Sequence, residues 1–201
     1  MIVFKDKKIV ILMNARCGTK SMRSVLQNIP GYNIVYPHTH WHGSFVRGKE
    51  LISPKIDDWS GFRVFGFYRD PLERWVSGLA WWQEKYPEKN FDLPIQELFA
   101  THGGFIHQSL ILNDNFFMDP WDNPENISTN VELLDYNNFD EGMKMIGDLV
   151  GVNIGTMPIV NSAINKKNLN EYSAEDIQFI KDVYDRDYKY FAARGIVVPS
   201  A

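Results

Sequence analysis

At 201 residues, with 44% hydrophobic and 14% aromatic content, the chain is long enough to bury a sizeable core and falls in the usual range for a single domain. A net charge of −4 and a pI near 5.7 argue against broad binding to nucleic acid or to an anionic membrane. The single cysteine, Cys17, permits no internal disulfide and agrees with a reducing compartment, and no run approaches the ~18 apolar residues of a membrane span.

In chain order the pattern predicts strands near 2–4 and 9–13, a helix over 20–28, a strand near 33–36 and another near 62–68. Helices over 71–86 and 94–101 follow, then a strand at 131–135 and helices over 138–149 and 173–192. The last helix opens on Ser173 with Asp176 as a capping pair, and Ile177, Ile180, Tyr184, Tyr188 and Phe191 give it an apolar stripe that reads as core. Residues 113–130, with Pro120 and Pro124 among Asp and Asn, read as a long irregular loop. This alternation predicts one α/β domain over 1–201, built on a mostly parallel central sheet flanked by helices. In such sheets ligands gather at the carboxyl ends of the strands.

Two strand–helix junctions there carry anion chemistry. The apolar run Ile9–Met13 suits a strand buried on both faces, and after it come Asn14, Ala15, Arg16, Cys17, Gly18, Thr19, Lys20 and Ser21, then the 3–4 spacing of Met22, Val25 and Leu26. A loop entering a helix in this way aims backbone N–H groups and the positive end of the helix dipole at one spot, and Arg16, Lys20, Thr19 and Ser21 add side-chain donors. The Walker A pattern G-x-x-x-x-G-K-[ST] fails here, because Met13 or Asn14 stands where its first glycine belongs and Thr19 separates Gly18 from Lys20. The second junction follows Val64–Tyr68. Asp70 suits an N-cap, Pro71 the first helical position and Glu73 the third position of a capping box, which leaves Arg69 at the mouth of the helix and Ser77 two turns in. A guanidinium and a hydroxyl thus become available to one anion.

With both elements in view, the chain resembles sulfotransferases that use 3′-phosphoadenosine 5′-phosphosulfate, most closely the carbohydrate-type, Golgi-like branch. In that family a strand–loop–helix of the form P-[KR]-x-[GA]-[ST]-[ST]-[ST] binds the 5′-phosphosulfate, and Arg16, Cys17, Gly18, Thr19, Lys20 and Ser21 resemble it, with Ala15 for the proline and Lys20 for one hydroxyl residue. The family's R-D-P-x-x-R-x-x-S segment binds the 3′-phosphate, and Arg69, Asp70, Pro71, Arg74 and Ser77 match it completely. The segments at Phe105–Gln108, Val131–Tyr136, Met157–Ser162 and Tyr184–Tyr188 resemble later family segments in the same order. The resemblance implies a P-loop-like sulfotransferase fold, this nucleotide as co-substrate with no metal, and a hydroxyl-bearing acceptor such as a sugar. Many eukaryotic members are membrane-anchored, so an amino terminus that enters a strand almost at once points to a cytoplasmic protein of bacterial or viral origin.

Sulfuryl transfer also needs a general base. His38, His40 and His42 follow a predicted strand and would share one face of an extended segment, where the resemblance implies a catalytic pair, His38/His40 or His40/His42. The same face admits a metal-binding reading, although a fourth ligand is not evident. His107 is the second candidate for the base, and His102, before Gly103 and Gly104, reads as a turn residue. Trp75, with Leu72, Val76 and Leu79, reads as core; Trp81 is placed to flank a nucleotide and Trp41 to stack on an acceptor, while Lys166 and Lys167 read as a solvated loop pair. The rival functions are a P-loop kinase using a nucleoside triphosphate with magnesium, and a nucleotide-binding module without catalysis.

Overall fold

A computed structural model describes residues 1–14, 16–34, 56, 58–101, 131–158, 160 and 167–198. The chain divides into two compact units, one of Met1–Tyr68 with Leu112–Asn161 and the other of Arg69–Ile111 with Ser162–Ala201. Among the described residues no helix is long and apolar enough to cross a membrane.

The first unit is an α/β layer on a five-stranded mixed sheet. Its strands are β1 (Ile2–Phe4), β2 (Ile9–Leu12), β3 (Tyr32–Ile34), β4 (Arg63–Tyr68) and β5 (Val131–Asp135), in the order β3-β1-β2-β4-β5. β2, β4 and β5 pair in parallel, whereas β1 runs antiparallel to both β2 and β3. The expectation of a mostly parallel sheet is therefore met only in part. The reason is the length of the β1–β2 connection: Lys5–Lys7 form one 3-10 turn, closed where Lys8, at φ 53°, donates its N–H to the Lys5 carbonyl at 3.0 Å. A parallel crossover needs a dozen or more residues, so this connection can only make a hairpin.

The register fixes what each face carries. Ile2, Ile11 and Phe65 stand in line across the ladders, as do Phe4 and Ile9, and onto this face pack α1 (Thr19–Leu26) through Met22 and Leu26 and the helix Phe139–Val150 through Met143, Ile146 and Val150. Each such side chain taken from water to full burial contributes about 1.5–3 kcal/mol. Gly142 lets this second helix lie close to the sheet, because a β-carbon there would fall 2.7 Å from the Phe67 ring. Val3, Val10, Leu12 and Val64 on the opposite face are equally buried, as a strand run without polar alternation requires.

The second unit is helical in its described residues. Its α2 (Pro71–Lys85) starts where Asp70 accepts the Leu72 N–H at 2.9 Å, with Pro71 at the first position. Residues 95–101 form a further helix, α3; with the Phe139–Val150 helix as α4, α5 (Ala174–Val183) and α6 (Asp185–Ala193) complete the set. Ser173 caps α5 by accepting from Asp176 N–H at 3.0 Å. The helix expected over 173–192 is divided at Tyr184, whose ψ of 18° ends α5 and leads into α6. Leu72, Trp75, Val76 and Leu79 join Ile95, Leu98, Ile180 and Tyr184 in one core, and the Trp75 ring stacks on Phe99 with centroids 5.7 Å apart.

Candidate functional site

The loop between β2 and α1 is a tight turn organised on one buried carbonyl. Asn14 is fully buried, and its carbonyl accepts both the Cys17 N–H at 3.3 Å and the Thr19 hydroxyl at 2.9 Å. Arg16 and Gly18 both take left-handed backbone, at φ 61° and 74°, and α1 begins immediately after. Its first internal bond runs from Met22 N–H to the Gly18 carbonyl at 2.9 Å, so the amides of Thr19, Lys20 and Ser21 precede the intrahelical ladder and form its electropositive end.

The six loop residues differ in what they offer. Cys17 is fully buried, which limits its role to backbone. Thr19 directs its hydroxyl proton to Asn14. Ser21 is buried, and its Oγ accepts the Val160 N–H at 3.2 Å, which keeps the hydroxyl proton available as a donor. Lys20 is exposed and Arg16 half-buried. Gly18 has no room for a side chain, since a β-carbon there would meet the Phe139 ring. That ring is itself held by Phe67 at 4.7 Å and Tyr136 at 5.4 Å between centroids. Neither Asn14 nor Phe139 is singled out by sequence reasoning; both matter because they set the loop's shape.

A third strand end feeds the same edge of the sheet. Asp135 closes β5 and accepts the Asn137 N–H at 2.8 Å, leading into α4. Asp140, in the first turn of α4, accepts the Met157 N–H at 3.3 Å, so Met157 is tied to α4 and Val160, through Ser21, to α1. Glu132, by contrast, is held bidentately by Arg63, with both bonds at 2.7 Å. That fork marks it as an ion-pair residue of the sheet.

In the second unit the Arg69 motif separates into two stripes along α2. Arg69, Glu73 and Ser77 recur at intervals of four, and so do Asp70 and Arg74. The Glu73 carboxylate lies 3.4 Å from Arg69 Nε, so it is directed to the arginine and not back to the cap as a capping box would place it. The Arg69 side chain is 11% exposed and Ser77 is buried. Arg74, fully buried, donates to Asp187 at 3.1 Å, with its guanidinium 5.7 Å from the Tyr184 ring. Asp70 Oδ1, which receives the Leu72 N–H, also receives the Tyr188 hydroxyl at 2.8 Å. Burial pushes the Asp70 carboxyl above its ordinary range, an effect the Tyr188 and Leu72 hydrogen bonds oppose.

The structure places Arg16, Cys17, Gly18, Thr19, Lys20 and Ser21 at one loop and the start of α1, whereas Arg69 precedes the α2 cap and Ser77 lies two turns into that helix. His38, His40, His42, His102, His107, Trp41 and Lys166 lie outside the described residues. Lys167 is exposed, 6.0 Å from the Tyr172 ring, and the Trp81 ring lies against Lys85 at 4.7 Å. Among the described residues no three His, Cys, Asp or Glu side chains are grouped as a metal site. No family model, curated protein or solved structure matches the chain.

Proposed function

We propose that this chain is a sulfotransferase with a P-loop-like fold, moving the sulfonate of 3′-phosphoadenosine 5′-phosphosulfate to an acceptor hydroxyl on a carbohydrate. The observation that carries the reading is the β2–α1 loop: left-handed backbone at Arg16 and Gly18, a turn closed on Asn14, and a helix amino terminus bearing Lys20 and the Ser21 hydroxyl. This combination suits an anion whose charge is held by amides and one or two cations. The sequence R-D-P-x-x-R-x-x-S at Arg69 supplies the second half of the argument.

In this reading Arg16, Lys20 and the first amides of α1 stabilise the charge that grows on the bridging oxygen as the sulfur–oxygen bond breaks. Arg69, with the Ser77 hydroxyl, takes the 3′-phosphate. The acceptor oxygen forms the new bond to sulfur, its proton passes to a histidine, and adenosine 3′,5′-bisphosphate leaves. The histidine is assigned to the His38–His42 segment, with His40 the first choice, and His107 is the second candidate, from sequence position alone.

The test is thermal stability in the presence of adenosine 3′,5′-bisphosphate without metal, followed by an acceptor array with labelled sulfonate donor. A specific ligand at a hundred times its dissociation constant adds about 2.7 kcal/mol of stability. Stabilisation by magnesium ATP and none by the bisphosphate replaces this reading with the kinase. Binding of the bisphosphate with no transfer to any acceptor leaves a nucleotide-binding module.

A further inference from the structure

The Asp70 and Arg74 stripe of the motif is engaged by side chains of the same unit. Arg74 is fully buried against Asp187, itself 4% exposed, and Asp70 is buried under the Tyr188 hydroxyl. The partners come from 113 and 118 residues further along the chain, and adjacent residues of α6 meet two consecutive turns of α2. A buried ion pair is rarely a net source of stability over well-packed apolar side chains, whereas it does fix one geometry. The Tyr188 phenol is well suited to its part. Burial and the neighbouring Asp70 carboxylate raise its ionisation far above neutral pH, so it remains a donor.

We propose that Tyr188 and Asp187 are positioning residues for the Arg69 anion site: they lock the Asp70 and Arg74 stripe of α2 so that the adjacent stripe presents Arg69 and Ser77 to a 3′-phosphate. The proposal rests on the functional reading above. It assigns to α6 a specificity role, the preference for a nucleotide carrying a 3′-phosphate over one that lacks it. An Asp70 cap released from Tyr188 leaves the first turn of α2 free to shift. Arg69, one residue before that cap, shifts with it.

The experiment compares dissociation constants for adenosine 3′,5′-bisphosphate and adenosine 5′-monophosphate in wild type, Tyr188→Phe and Asp187→Asn, with thermal melting of each. Tyr188→Phe keeps the ring and removes only the hydroxyl. The expected result is a bisphosphate preference that shrinks by about 3- to 10-fold, the range of one lost hydrogen bond, while monophosphate affinity is unchanged. A lowered melting temperature with the preference intact assigns these residues to stability alone and overturns the proposal. Wild-type protein that binds both nucleotides equally overturns the functional reading, and the positioning role falls with it. Should Asp187→Asn not fold, Tyr188→Phe decides.

Discussion

The Phe139 ring occupies the space that a β-carbon on Gly18 would need, and Gly18 is held in the left-handed region at φ 74°. An aromatic side chain at the start of α4 therefore sets the shape of the loop after β2. The ring cannot retreat easily, because Phe67 and Tyr136 close on it from the sheet and from the turn before α4.

Gly18→Ala should destabilise for two separable reasons. A left-handed alanine costs about 1–2 kcal/mol, and overpacking against the ring costs about 1–3 kcal/mol. Adding Phe139→Leu to Gly18→Ala should recover part of the second cost and none of the first. Urea denaturation of the single and double variants measures both. If the two substitutions are additive, Phe139 does not press on the loop.

Asp70 carries a pH dependence of definite sign. Its carboxyl titrates above the ordinary value of 3.8 in the folded state, so between the unfolded and folded values the native protein holds more protons. Stability from this group is complete below the unfolded value and is lost as pH rises through the folded one. Asp70→Asn retains an acceptor for Leu72 N–H and Tyr188 and removes the titration. Its stability relative to wild type should improve as pH is raised from below 3.8 to neutrality. Denaturation across that range checks it, and a difference that is flat or moves the other way contradicts the assignment.

Much of the fold was legible because it is local. The apolar runs at Ile9–Leu12 and Val64–Phe67, the Asp70–Pro71 start of α2 and the Ser173 cap of α5 are written within a few residues of where they act. The hairpin at Lys5–Lys7 is legible too, because its connection is too short for a parallel crossover. The division at Tyr184 was not, because the stripe from Ile177 to Phe191 keeps its spacing without a Gly or Pro to interrupt it. For the candidate site, spacing draws attention to the β2–α1 loop in one unit and to Arg69 in the other. It says nothing of Phe139 on Gly18 or of Asp187 on Arg74, since those depend on side chains more than a hundred residues away.

The Arg74–Asp187 pair should be costly to break and cheap to replace. Asp187→Ala leaves the buried Arg74 charge without that carboxylate, a change worth about 3–5 kcal/mol. Joint replacement by Arg74→Met and Asp187→Leu should cost much less, because it removes both charges from a buried site. Equal losses for the single and the double variant would falsify the view that the pair fixes geometry more than it supplies stability.

Glu73 bears most directly on the proposed function, because it competes with any anion for Arg69. Its carboxylate stands 3.4 Å from Arg69 Nε, with Glu73 35% and Arg69 11% exposed, so the pair is long and partly screened by solvent. Glu73→Gln should therefore tighten adenosine 3′,5′-bisphosphate by up to about fivefold, the equivalent of a weak, solvent-screened ion pair released. Arg69→Ala should weaken the same ligand by about 10- to 100-fold, as loss of a charge-assisted contact requires. Neither change should alter affinity for adenosine 5′-monophosphate, which lacks the 3′-phosphate. Calorimetric titration of both ligands into the three proteins makes the comparison. The opposite signs of the two variants are the diagnostic, since general damage to α2 would weaken binding in both. An affinity for the bisphosphate that is indifferent to Arg69→Ala and Glu73→Gln alike removes Arg69 from the 3′-phosphate site.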